Sequence, residues 1–293
     1  MPGEDELWNE SWYFDVVAPD ASWGMYARLG LYPNLGVAWW WAAVVRRGEP
    51  VLLVRDHALA LPRGGSFEVR GDGLWADLTC HEPLARWQVN FEGIAVALDD
   101  PTEAYRTEHG DRVPIEFEFE WETAAPAFEY PGVSRYEVSC DVHGEIQIGT
   151  TANRLTLDDP VPGQRDHSWG VRDWWDFPWV WTAGALSDGT RFHASRPEIN
   201  GVRYEPAYVV DGDGLRSALQ FDVDVTTGAD GFPSTTTMRV NGLDVVATPE
   251  LVAGLAMRAP DGRVGLLHRA ASTFVTSDGR TGVGWMEYNL PPS

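Results

Sequence analysis

The chain has 293 residues, enough to bury a large core, and 44% of them are apolar. Its formal charge of −22 excludes the basic surface that nucleic acid or an anionic membrane requires. All 22 basic residues are arginine, which excludes a Schiff-base lysine or a lysine general base.

The amino-terminal Met1–Leu7 segment is acidic and has neither a basic n-region nor an apolar h-region, so no secretory signal is read there. The longest apolar run, Val37 to Val45, is too short to span a bilayer. These features are those of a soluble, cytoplasmic protein. Trp39-Trp-Trp41 inside that run reads as core or cavity wall. Next come expected strands at 51–55 and 88–98. Ile115, Phe117, Phe119 and Trp121 then alternate with four glutamates, the signature of a sheet with one wet face. Tyr136, Val138, Cys140 and Val142 alternate with Glu137, Ser139, Asp141 and His143 in the same way.

Asp158-Asp-Pro-Val-Pro-Gly163 is the clearest internal punctuation and places a boundary between a half at 1–160 and a half at 161–293. Further strands are expected at 179–186, 190–195, 206–210, 219–225, 234–240, 264–274 and 282–288. Ser187-Asp-Gly-Thr190 fits a hairpin turn, and Asn241-Gly242, Asp261-Gly262 and Asp278-Gly279 are similar turn signals. Thr248 to Met257 is the one stretch that reads as a short helix. Many short strands with Gly-rich turns predict an all-β fold of sandwiches or barrels. Cys80 and Cys140 are far apart and outside any CxxC pattern, and are expected as free thiols.

Gly163-Gln-Arg-Asp-His-Ser-Trp-Gly-Val-Arg-Asp-Trp-Trp175 packs two aspartates, two arginines, a histidine and three tryptophans together, and Trp179 and Trp181 follow. Ionisable groups wrapped in indole rings are poorly hydrated, which moves their pKa values and makes proton transfer useful. This stretch resembles the signature of the AttH and carotenoid 1,2-hydratase family, which carries Asp-His-(Ser/Asn)-Trp-Gly between two halves. The Trp-x-Trp that follows, a hairpin with Asp-Gly at its turn, Glu10-Ser-Trp-Tyr13 and Arg28-Leu-Gly-Leu-Tyr-Pro-Asn34 resemble that family too.

The resemblance implies two packed lipocalin-like antiparallel β-barrels or half-barrels with a hydrophobic cavity. It implies a hydratase, dehydratase, isomerase or cyclase of isoprenoid- or polyketide-like molecules. In the carotenoid hydratases the motif's histidine and tryptophan, with a tyrosine and an aspartate on the next hairpin, are implicated in protonating an alkene. His167 and Trp169 match the first pair. The hairpin strand Thr190-Arg-Phe-His-Ala-Ser195 has no match for the second, and His193 is its only proton-active ring.

Protonating an alkene makes a carbocation, which needs an acid in a dry pocket and aromatic faces around it. His167, His193 and Asp166 are the candidate proton carriers. Trp169, Trp174, Trp175, Trp179, Trp181, Arg172 and Tyr13 are the candidate ligand contacts. An extended backbone sends Asp166 and His167 to opposite faces; His167 is expected to point at the ligand and Asp166 to pair with an arginine. An architectural alternative is a barrel closed by Trp169 packed under Arg172, with Asp173 orienting the arginine. His57, His81 and His109 adjoin charged residues and turns and read as surface. His143-Gly-Glu145 lacks a third ligand at metal-site spacing, and no phosphate, dinucleotide or serine-hydrolase motif occurs, so neither metal nor cofactor is expected. The partner is a small hydrophobic molecule, held either for turnover or, in the competing reading, by a non-catalytic carrier.

Overall fold

The computed structural model describes residues 3–149 and 153–291. The sequence reading of the amino terminus touches Met1 and Pro2, which lie outside them. The first sheet contains β1 (Trp8–Val17), β2 (Trp23–Tyr32), β3 (Val37–Arg46), β4 (Val51–Ala60), β5 (Val69–Gly71), β6 (Leu74–Glu82), β7 (Arg86–Leu98), β8 (Asp111–Thr123), β9 (Phe128–Glu129), β10 (Arg135–Ile148) and β11 (Asn153–Val171). The second contains β12 (Trp179–Leu186), β13 (Arg191–Ile199), β14 (Val202–Arg203), β15 (Pro206–Asp211), β16 (Gly214–Leu219), β17 (Phe221–Thr227), β18 (Pro233–Val240), β19 (Leu243–Val252), β20 (Leu255–Arg258), β21 (Val264–Thr276) and β22 (Thr281–Leu290). One 3₁₀ turn, Pro101–Tyr105, starts on the Asp100 side chain, which accepts from the Thr102 N–H.

The fold is all-β, as the strand periodicity predicts. In the first sheet the order β4-β3-β2-β1-β11-β10-β8-β7 closes on itself through a β4–β7 pairing, which gives a barrel. The second sheet runs β16-β15-β13-β12-β22-β21-β19-β18-β17 and stays open, a half-barrel. Every ladder on these paths is antiparallel.

Burial alternates as the side-chain period of two demands. Ile115, Phe117, Phe119 and Trp121 fill the first barrel, beside Trp12, Phe14, Trp40 and Phe91. A second core, with Phe192, Met238 and Phe274, sits inside the half-barrel. A third lies between the sheets: Tyr13, Tyr26, Trp39 and Trp41 pack against Trp181, Ala183 and Trp285. Consecutive tryptophans therefore serve different cores, Trp40 the barrel interior and Trp39 and Trp41 the seam. Cys80 and Cys140 are free thiols.

One reading of the sequence is corrected. Thr248 to Met257 is not a helix; it forms the end of β19 and most of β20, both paired with β21. Pro249 and Gly254 are poor helix residues, and the ladder shifts register between Pro249 and Leu251 to take the proline. The Pro-rich stretch 158–163 belongs to the first sheet. It lies inside β11, and the change of sheet comes between Val171 and Trp179. Its prolines are tolerated because the β10–β11 ladder is irregular between Val142 and Gly144, and the β1–β11 ladder reaches only Gly163.

No helix among the described residues is long and apolar enough to cross a membrane.

Candidate functional site

The sheets leave a cleft between them, with about 870 Å³ of space when its open mouth is included. Six of the candidate proton carriers and ligand contacts line it: Tyr13, Asp166, Arg172, Trp174, Trp179 and Trp181. Trp41, Tyr130, Arg28, Arg135, Arg269 and Glu287 complete most of the wall. Aromatic walls with a few polar groups converging on one place are the usual make-up of a small-molecule site.

β11 decides which part of the signature motif reaches the cleft. It is paired on both edges, with β1 and with β10, so its side chains alternate strictly between barrel interior and seam. Gln164, Asp166 and Ser168 point to the seam. Arg165 and His167 point into the barrel. The alternation expected for Asp166 and His167 is present, with the faces reversed: Asp166 lines the cleft and His167 does not. His167 stacks on Trp12 at 4.8 Å and its Nε2 lies 2.9 Å from Glu10 Oε1.

Asp166 belongs to a buried polar network. Arg135 Nη2 lies 2.7 Å from both Asp166 Oδ2 and Glu137 Oε1, so two carboxylates share one guanidinium nitrogen. Glu137 is fully buried and well supplied with donors: Gln164 Nε2 at 2.9 Å, Trp181 Nε1 at 3.1 Å and Tyr130 OH at 3.4 Å. These donors and the arginine occupy both of its oxygens. Burial raises the Asp166 pKa above the ordinary aspartate value, Arg135 opposes that, and the neighbouring Glu137 charge adds to it. Asp166 Oδ1 has no side-chain partner among the described residues. A carboxyl with a raised pKa, one oxygen anchored and the other toward a cleft, is suited to give and take a proton.

Behind the wall, His193 is fully buried and its Nε2 lies 2.7 Å from Tyr130 OH. Burial first, then Arg135, lowers the His193 pKa far below the usual range, so the ring is neutral. Burial raises the Tyr130 pKa well above a normal phenol, so its proton stays on. Tyr130 lines the cleft and His193 does not; the histidine reaches the cleft only through the phenol. On the opposite wall Arg269 donates to Tyr13 OH, pairs with Glu287 Oε2 at 2.9 Å, and stacks over Tyr13 and Tyr26. Trp179 Nε1 donates to Glu287 Oε1 at 2.7 Å.

Other candidates are not in the cleft. Trp175 is buried in the seam, donating to the Met257 carbonyl at 2.9 Å. Trp169 is 39% exposed and packs on His167. The barrel closure by Trp169 under Arg172 is therefore absent, and Asp173 pairs with Arg263 through both oxygens rather than with Arg172. His57, expected at the surface, is partly buried, accepts from Trp41 Nε1 at 2.6 Å and has its pKa lowered to about 3 by burial. Among the described residues no three His, Cys, Asp or Glu side chains converge to hold a metal ion.

Tyr130, Arg135, Glu137, Arg28, Arg269 and Glu287 were not legible as site residues. Glu137 sits in an alternation whose polar face reads as solvent, yet that face is the seam. Arg269 and Glu287 pair across β21 and β22 in register, a relation visible only once the strands are paired.

A family profile described as a domain of unknown function, DUF7064, matches residues 1–292. The chain has no match among curated proteins. Three solved structures share its architecture. An AttH from Nitrosomonas europaea is 15% identical, with a TM-score of 0.59 over 96% of this chain and 92% of that one. Kievitone hydratase from Nectria haematococca is 9% identical, with a TM-score of 0.65 over 97% and 90%. CghA, solved with Sch210972, is 11% identical, with a TM-score of 0.63 over 98% and 89%. The tandem lipocalin-type fold implied by the Asp166-His-Ser-Trp-Gly170 segment is thus the fold found. With the whole chain taken up by that profile and the two-sheet architecture shared end to end, the protein belongs to the DUF7064 family within the AttH-like fold.

Proposed function

We propose that the protein is an acid–base enzyme acting on a hydrophobic small molecule, as a hydratase, dehydratase, isomerase or cyclase, in the cleft between the sheets. The carrying observation is Asp166: a buried carboxyl with a raised pKa, held by Arg135 on one oxygen and facing an indole-lined space. Such reactions move one proton onto the substrate and one off it. Asp166 delivers the first. Trp179 and Trp181 line the space where positive charge develops, while Trp41 and Trp174 already flank Arg28. The proton that leaves returns to the carboxylate that Asp166 has become, while Tyr130 keeps its own proton and, held by His193, fixes the wall beside it. Two proteins of the same fold support the class by their names, one a hydratase and one solved with a bound small molecule. In this reading His167 and Trp169 shape the barrel rather than touch the substrate, and His193 is a positioning residue for Tyr130.

Deuterium uptake tests the reading without knowing the substrate. A panel of apolar alkenes, allylic alcohols and enones is incubated with the protein in D₂O and followed by mass spectrometry. The wild type is expected to label at least one member, and Asp166→Asn to lower that rate by roughly 10²–10⁴-fold, the usual worth of a general acid. Full labelling by a folded Asp166→Asn variant defeats the role given to Asp166. Tight binding across the panel with no labelling by the wild type makes the protein a carrier.

A further inference from the structure

The cleft is richer in positive charge than its chemistry requires. Four arginines line it, Arg28, Arg135, Arg172 and Arg269, against two carboxylates, Asp166 and Glu287. Arg135 is matched by Asp166 and Glu137, and Arg269 by Glu287. Arg28 and Arg172 have no carboxylate partner among the described residues. This excess sits in a protein whose overall charge is −22.

Arg28 is 4% exposed, and neither of its terminal nitrogens has a hydrogen-bond partner. Its guanidinium lies between the Trp41 ring at 4.5 Å and the Trp174 ring at 5.0 Å. Indole faces hold it in place without supplying an acceptor. Trp174 Nε1 and the Tyr32 hydroxyl adjoin it and are buried; the Tyr32 oxygen lies close to both Arg28 and Trp174 but makes no hydrogen bond of regular geometry with either. The backbone makes room for the arrangement: a Cβ on Gly30, two residues along β2, would stand 2.5 Å from Arg28 Nη1. Arg172 enters the same cleft from the segment after β11, and its neighbour Asp173 is engaged by Arg263. Burial, then the charges of Arg135 and Arg28, lower the Arg172 pKa to about 10, so these guanidiniums feel one another. Buried donors left without acceptors cost free energy until something anionic arrives.

We propose that Arg28 and Arg172 form a carboxylate seat, so that the molecule bound in the cleft is an apolar monocarboxylic acid with its hydrocarbon against Trp179 and Trp181. The seat rests on the reading of the cleft as the substrate site, and it adds the acidic group that this substrate carries. A guanidinium pair suits a carboxylate because planar N–H forks match its two oxygens.

Calorimetric titration of the full chain with straight-chain C6–C14 alkanoates and the matching primary alcohols tests the seat. At one chain length or more the alkanoate is expected to bind at least about tenfold tighter than its alcohol. Arg28→Gln and Arg172→Gln are each expected to weaken the alkanoate about tenfold or more while leaving the alcohol within about twofold. Arg172 is only partly buried, so Arg172→Gln serves if Arg28→Gln does not fold. Equal affinity for acid and alcohol, an acid preference that survives both substitutions, or no alkanoate binding at any length overturns the proposal. Asp166→Asn separates the two readings, since it is expected to keep the acid preference. A preference without deuterium chemistry leaves an acid carrier; chemistry without a preference leaves an enzyme of neutral molecules and no seat.

Discussion

Asp15 shows what docking one sheet on another does to a single side chain. It is 3% exposed, takes hydrogen bonds from Tyr13 OH at 2.7 Å and from the Gln164 N–H at 3.1 Å, and has its pKa pushed up to about 8 by burial. An unfolded aspartate ionises near 4, so between about pH 4 and 8 the unfolded chain has lost a proton that the folded chain retains. The contribution of Asp15 to folding stability is therefore full below about pH 4 and declines as pH rises toward 8. Urea unfolding at pH 5 and pH 8 is expected to show the wild type losing on the order of a few kcal/mol more than Asp15→Asn over that interval. Equal losses in both proteins would remove Asp15 as the source. At this scale the sequence was half legible. The aromatic-wrapped motif marked the right region, and Asp166, Trp174, Trp179, Trp181, Tyr13 and Arg172 reach the cleft. The choice of face was not legible, because a strand buried on both sides offers no polar face to orient it.

Among the elements, β12 and β22 carry a local device that fixes how closely strands approach. Gly184 and Gly284 stand directly opposite in the ladder, and the Phe274 ring lies over both. A Cβ on Gly284 would meet the Ala183 carbonyl oxygen at 2.1 Å and the Phe274 ring at 2.9 Å. Gly284→Ala is expected to cost about 1–3 kcal/mol or more through overpacking, read as a lower urea midpoint with an unchanged slope. A neutral effect would mean the ladder yields there. The strands themselves were largely legible. The reading of 37–45, 88–98, 115–122 and 179–186 matches β3, β7, β8 and β12 closely, and Asn241-Gly242 makes its hairpin with both residues at positive φ. β1, β2 and β11 were harder. Their two faces serve two different cores, so polar and apolar residues do not alternate cleanly. β8 and β10 carry the same written pattern, yet Glu116 and Glu118 are wet while Glu137 is fully buried.

Across the molecule, the seam joins the barrel and half-barrel through side chains of both sheets. Tyr26 OH donates to the Ala253 carbonyl at 2.9 Å, Arg55 to the Ala256 carbonyl at 2.6 Å, and Tyr105 OH meets His268 Nδ1 at 2.7 Å. Trp285, fully buried, packs edge-on against Tyr26 and beneath Arg269. Trp285→Ala is expected to cost about 3–5 kcal/mol and to lower one shared transition, with far-UV and near-UV circular dichroism falling together. Two separated transitions in the wild type would show that the sheets fold independently and that the seam adds little. A site built at such a seam exists only when both sheets are in place, which explains why neither half of the sequence announces it alone.

β11 has a further consequence for how proteins of this kind diverge. Asp166 and Ser168 line the cleft and Gln164 faces the same seam, while Arg165 and His167 face the barrel interior, on consecutive positions of a single strand. Ligand preference and barrel integrity are thereby assigned to alternate residues. After gene duplication, one copy can exchange every second residue and acquire a new ligand while the intervening residues keep the barrel closed.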